Sequence, residues 1–331
     1  MEPSITVVAG ATLLIAGVAF VLHAHRRKLA MWQQVAARRG ATFALRRTLL
    51  VSHSPSIRER RGSVDVLLEM ASRRTWSTTS SSDDTRPYLR CRAPYPIAAG
   101  PRFKVTPDGF FASIGKALGM QDVVLGNDAA FDDKFVVKTD DPARTRIAWT
   151  ARAMQRLVTA LPRASVVSDG REVVLTVDDY GNTPAVLEAC LDVVGDIVTS
   201  DVFGIGALRS LAGAVVASPM TVRLSLPETV HLGVDLDADG RPTTWARADI
   251  ARAAAPYRAP IADGRIRGAP PGAVPDEAAD LIARVAAGTV EVADGRVTVW
   301  FDRIETDASR LRAGAELAAV LGRRASQGVF R

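Results

Sequence analysis

Cysteine is nearly absent. Only Cys91 and Cys190 occur in 331 residues, so neither a disulfide framework nor a four-cysteine metal site can be built. Histidine is scarce too: His23, His25, His53 and His231 belong to no HExxH motif or His–Cys grouping, and no GxSxG elbow occurs. Lysine is confined to Lys28, Lys104, Lys116, Lys134 and Lys138, and arginine replaces it elsewhere. A triad gathered from distant residues stays open, because triads are spatial. Catalytic residues are therefore unassigned, and no cofactor or metal is expected. Positive charge is missing before residue 26: Glu2 is the one charged side chain there.

The strongest feature of the chain lies just after Glu2. Ile5–Leu22 is uncharged and apolar, and Arg26, Arg27 and Lys28 come soon after it. At ~1.5 Å per residue such a run nearly matches the ~30 Å hydrocarbon layer, so it predicts one transmembrane helix. A cleaved signal peptide needs its positive charge before the run and a small-residue cleavage site after it, and neither is present. Basic residues stay on the cytoplasmic side. The expectation is an uncleaved signal anchor in the cell inner membrane, single-pass, with the N-terminus outside and the remainder cytoplasmic. Its partners are the bilayer, through Ile5–Leu22, and anionic headgroups near Arg26, Arg27 and Lys28. Thr6/Gly10 and Thr12/Ala16 place small residues four apart, as scattered small residues in a lone anchor also do.

The net charge of +6 invites a nucleic-acid reading. Twelve Lys or Arg fall within 26–74 against Glu59, Asp65 and Glu69, while the rest of the chain is slightly acidic. The positive charge thus lies beside the expected membrane, and no nucleic-acid motif accompanies it. Apolar and charged contents of 47% and 24% are those of a globular chain, and the ~300 residues after the run suffice for about two domains.

Periodicity assigns the elements. Residues 26–39 read as a juxtamembrane helix ended by Gly40, with Leu29, Trp32, Val35 and Ala36 on one face; Trp32 is assigned to domain packing. Residues 42–106 read as mainly β, with Val64, Val66 and Leu68 alternating. A short helix is expected over 108–118 and a strand over 134–138. Asp141 and Pro142 open a helix whose apolar face is Ile147, Ala151, Met154, Leu157, Val158 and Leu161, stopped by Pro162. Strands 165–168 and 172–177 meet at Asp169-Gly170. Thr183-Pro184 then opens a helix carrying Val186, Leu187, Cys190, Leu191 and Val194. Helix 276–286, strands 289–293 and 296–301, and helix 307–321 repeat that order around Asp294-Gly295, and Leu157 and Ile282 each precede their Asp by twelve positions. That suggests a duplicated helix-hairpin-helix unit. Residues 200–219 read as an amphipathic or buried helix, and 253–275 as an irregular loop.

Three motifs come close to known chemistry. Asp235 to Gly240 begins like a calcium loop, but Ala246 stands where the bidentate Glu belongs, so a hairpin is expected. Gly109 to Lys116 is spaced wrongly for a phosphate loop, and Ala117 replaces the Mg²⁺-binding hydroxyl. Asp122, Asp128 and Asp132 suit local capping, with a polar cluster as the alternative. These aspartates lie in a segment with Gly119, Gly126, Phe131 and Phe135 that resembles a family of uncharacterised bacterial membrane-anchored proteins, of pattern G-x-x-D-[IV]-x-[IL]-G-D-x-x-F-D-x-x-F. Asn127 stands where an Asp is usual. The resemblance covers residues 119–178 well and 32–43 loosely; it implies a membrane-anchored architecture and no particular activity.

The expectation is therefore an α+β protein: an N-terminal transmembrane helix followed by two mixed α/β domains with antiparallel sheets. The divisions are 1–25 anchor, 26–40 juxtamembrane helix, 41–217 first domain and 218–331 second domain. The expected role is binding or scaffolding at the cytoplasmic membrane face, with an unidentified protein partner and no nucleic acid. The alternative is a membrane-tethered, hydrolase-like enzyme with a site between the two domains.

Overall fold

A computed structural model describes residues 5–47, 53–75, 84–108, 121–125, 128–178, 183–237, 239–251 and 254–327; within these, side chains of residues 5–19, 46, 47, 53, 74, 75, 84, 85 and 121 are outside the description. The chain is α+β, with two all-antiparallel sheets in two compact units. The first unit comprises residues 1–95 and 101–200, and the second residues 96–100 and 201–331. Residues 201–217, assigned above to the first domain, group with the second unit.

The first unit opens with α1 (Ile5–Arg38), a single 34-residue helix. The expected anchor and juxtamembrane helices are one element. Gly40, at φ +62°, reverses the chain after it. A meander follows: β1 (Thr42–Arg47), β2 (His53–Arg61), β3 (Val64–Thr75) and β4 (Asp84–Pro94). Then come β5 (Arg102–Pro107), β6 (Gln121–Val123), α2 (Ala129–Asp132), β7 (Phe135–Thr139), α3 (Pro142–Ala148), α4 (Ala151–Ala160), β8 (Ser165–Asp169), β9 (Glu172–Val177) and α5 (Pro184–Thr199). The sheet order is β1-β2-β3-β4-β9-β8-β5-β7-β6. Alternation puts Ile57, Val66, Leu68, Leu89, Cys91, Val173 and Leu175 on the buried face, beneath α5.

The second unit repeats much of this order, with fewer elements between the meander and the hairpin. α6 (Ile205–Ser210) and Gly213, at φ +81°, precede the meander β10 (Ala214–Ser218), β11 (Thr221–Ser225), β12 (Thr229–Leu236) and β13 (Pro242–Asp249). After it come β14 (Tyr257–Ala262), β15 (Arg265–Ile266), α7 (Ala279–Val285), β16 (Gly288–Ala293), β17 (Arg296–Phe301) and α8 (Ala308–Ser326). The order β10-β11-β12-β13-β17-β16-β14-β15 matches the first sheet strand for strand through the hairpin and the strand that follows the meander. Both Asp-Gly turns close hairpins, β8–β9 and β16–β17. Asp294 and Gly295 are both left-handed, as a two-residue type I′ turn requires. The first turn is longer, and Asp169 Oδ1 accepts from the amides of Arg171 and Glu172. Gly314 of α8 meets the Phe301 ring, where a Cβ would lie 2.5 Å from Cζ. That close approach seats α8 on its sheet.

Four expectations need correction or relocation. The helix opened by Asp141 is two helices, because Trp149 leaves helical geometry and is fully buried against Phe103 and Phe131, and Thr150 caps α4 afresh. Ile147 consequently faces solvent at 49% exposure. Residues 200–219 give only six helical residues before the β-branched segment of β10. The expected loop 253–275 contains β14 and β15, turned at Asp263-Gly264 with both residues at positive φ. The expected helix at 108–118 and the phosphate-loop lookalike fall almost wholly outside the described residues. Among the described residues no helix is long and apolar enough to cross a membrane; most of the run Ile5–Leu22 lies outside that set in its side chains.

Candidate functional site

The end of α1 is bound to the first unit by packing and by charge. Trp32 and Val35 are fully buried and Ala36 nearly so, against β1, β2 and α5. Further back, Phe20, Val21 and Leu22 are exposed at 74%, 64% and 54%. The apolar character of α1 is therefore covered at its C-terminal end and uncovered at residues 20–22.

Just beyond the last turn, Arg39 forks onto Glu59 of β2, with Nε to Oε2 at 2.7 Å and Nη2 to Oε1 at 3.1 Å. Its Nη2 also reaches Asp192 Oδ1 of α5 at 2.6 Å. Arg61 repeats the pattern, with Nε to Glu59 Oε1 at 2.6 Å and Nη2 to Asp192 Oδ1 at 2.5 Å. Arg156 of α4 closes on Asp192 Oδ2 from the other side. The Arg61 side chain lies along α5 at Gly195, where a Cβ would meet it at 3.4 Å, an ordinary contact distance. At the rim, Arg38 pairs with Glu188 at 3.0 Å. The Asp192 side chain is only 4% exposed and that of Glu59 10%. Three guanidinium groups thus share two buried carboxylates, one from α5 and one from β2.

The electrostatics follow from that crowding. Burial pushes Asp192 up, but the hydrogen bonds and charge of Arg39, with Arg156 and Arg61, outweigh it and hold the carboxyl below the usual range. Burial disfavours charge on Arg39, yet Glu59 and Asp192 more than compensate and raise its pKa. Asp196, one turn further along α5, goes the other way. Burial raises its pKa against the charge of Arg152, and the negative Asp192 adds to the rise. Its Oδ2 has no hydrogen-bond partner among the described residues, and Arg152 Nε stands 4.0 Å away. Chemically the junction is a lock. Both central carboxylates are committed to guanidinium groups, which fixes α1 to the unit.

None of these junction residues stands out in the sequence as a site. The signal that could have found them is the spacing Glu188, Asp192, Asp196, a charged stripe four residues apart on an otherwise apolar helix. The aspartates that do stand out in sequence do not converge. Asp128 caps α2 through the amides of Ala130 and Phe131, Asp132 Oδ1 accepts from Leu125 N, and Asp122 faces Lys138 at 3.6 Å. Phe131 and Phe135 are both buried and stack at 5.2 Å. Asp235 to Gly240 lies at the end of the β12–β13 hairpin, where Asp237 Oδ1 accepts from the amides of Asp239 and Arg241. Among the described residues no His, Cys, Asp or Glu group is arranged to hold a metal ion. Both cysteines are buried free thiols, and burial raises that of Cys91. No family model, curated protein or solved structure matches this chain.

Proposed function

We propose that this chain is a single-pass membrane protein that binds or scaffolds at the cytoplasmic face of the inner membrane. One observation carries the reading. α1 continues without a break from the apolar run into the first unit, and Phe20, Val21 and Leu22 stay exposed on it. Uncovered apolar side chains on a helix call for an apolar environment. A helix of 34 residues is about 50 Å long at ~1.5 Å per residue, so ~30 Å can cross the hydrocarbon and the rest can enter the unit. Arg26, Arg27 and Lys28 then fall at the cytoplasmic headgroups. The ionic junction supports the scaffolding role, because it replaces a flexible linker with a fixed joint. The resemblance of residues 119–138 to membrane-anchored bacterial proteins belongs to the same reading.

The test is fractionation of cells expressing the full chain. The protein stays in the membrane pellet after high-salt and alkaline washes, and detergent releases it. Release by salt alone would reduce the attachment to surface charge, and the anchor reading would be wrong.

A further inference from the structure

The open face of the second sheet carries a row of polar side chains in register: Arg223, His231, Arg247, Thr298, Glu291 and Arg258. α8 covers the opposite face, where its Gly322 meets Ala248. In the neighbouring row of the open face, Trp245 stands beside Trp300 and opposite Gly233. The Trp245 ring lies on Gly233, where a Cβ would come within 2.6 Å of Cζ2. The Arg247 guanidinium stacks over Trp245 at 4.5 Å, and its Nε donates to Thr298 Oγ1 at 3.1 Å. Trp300 Nε1 donates to Glu291 Oε2 at 2.8 Å, and Arg296 Nε faces Asp249 at 3.4 Å. Arg247, Thr298, Trp300, Glu291 and Arg296 line a cleft of about 170 Å³.

Arg247 is the odd member of this set. It is half-buried, yet among the described residues no carboxylate lies within ion-pair distance of it. Burial and the neighbouring Arg296 lower its pKa, and the charges of Asp235, Glu291 and Asp249 offset this only in part. Stacking and the Thr298 bond fix the plane of the guanidinium and occupy Nε, which leaves the two Nη groups for a planar, two-oxygen acceptor. Glu291, Asp294 and Asp249 offset the charge of Arg247 and Arg296, so a dianion or a polyanion meets more repulsion there than a monoanion does. The cleft is smaller than the ~300–1,000 Å³ of drug-sized sites, which limits it to a small ligand or one end of a longer one. Trp300 offers a flat apolar surface beside it.

We propose that this cleft binds a monoanionic carboxylate on a flat apolar group, with the carboxylate on Arg247 and the flat group against Trp300. The site does not depend on the tether, so the two proposals fail separately. The experiment is ¹⁹F NMR of 4-fluorobenzoate with the full chain in detergent micelles, and 4-fluorobenzamide as the uncharged control. Benzoate broadens saturably and the amide does not. Arg247→Gln weakens benzoate binding at least tenfold, and Thr298→Val, which releases Nε, weakens it less. Inorganic phosphate at equal concentration does not displace the benzoate. Equal broadening by acid and amide, or unchanged binding in a folded Arg247→Gln chain, would overturn the proposal. Displacement by phosphate would overturn the carboxylate assignment. If Arg247→Gln does not fold, the acid and amide comparison on the unaltered chain decides.

Discussion

Asp192 answers to three arginines at once, and that sets what its loss does. Removing it takes the carboxylate from Arg156 and leaves Arg39 and Arg61 to share Glu59 alone. Breaking a buried ion network from one side costs about 3–5 kcal/mol, so Asp192→Ala lowers the stability of the first unit by that order at pH 7, measurable by denaturant unfolding. The pH dependence has two opposed parts. The folded pKa of Asp192 is depressed below the unfolded value of ~3.9. Its contribution is therefore complete above that value and is lost as pH falls through the folded pKa. The folded pKa of Asp196 is raised. Its charge therefore costs stability at neutral pH, and the cost disappears as the group protonates. Asp196→Asn accordingly raises the melting temperature at pH 7, and the gain vanishes by about pH 4. An equal gain at both pH values would contradict the sign assigned to Asp196. In the second unit, Gly233→Ala sets a methyl against Trp245 and Met220 O, and costs about 1–3 kcal/mol by overpacking. Calorimetry shows the loss as a lower transition for that unit.

Among the elements, α1 links the apolar run to the folded part of the chain. Its packed residues lie from Lys28 onward, with Lys28 Nζ near Met70 Sδ at 3.9 Å and Trp32 and Val35 buried. Deleting residues 1–25 therefore yields a folded chain that no longer sediments with membranes. A native circular dichroism spectrum and an unchanged melting temperature check it; loss of the folded state would mean that the exposed part of α1 stabilises the unit. Helices and hairpins with clear local chemistry are legible in the sequence. Thr183-Pro184 opens α5, Asp307 caps α8, and Asp169-Gly170 and Asp294-Gly295 each close a hairpin. The illegible parts depend on tertiary packing. Trp149 breaks a continuous helical pattern because its ring is drawn into the Phe103 and Phe131 cluster. The β14–β15 hairpin is masked although Asp263-Gly264 is the same turn signal as Asp294-Gly295, because Ala, Pro and Gly dominate its surroundings. The ionic junction draws on four separate segments, and no local pattern reports such convergence.

At the scale of the whole molecule, two units whose sheets share the order of meander, hairpin and following strand lie in one chain with a single long helix, α1. Leu157 and Ile282 are both buried on the helices that lead into the hairpins, as a duplicated helix-hairpin-helix unit would require. The two units also differ. The first unit meets α1 through its arginine-carboxylate lock, whereas the second carries the tryptophan-lined cleft. In the proposed single-pass topology both units lie on the same side of the membrane. The measurement that tests this most directly is a pair of reporter fusions at Arg331. A cytoplasm-dependent fluorescent protein is bright there, and alkaline phosphatase, which needs export and disulfide formation, is inactive. Active phosphatase with a dark fluorescent fusion would place both units outside and contradict the orientation drawn from Arg26, Arg27 and Lys28.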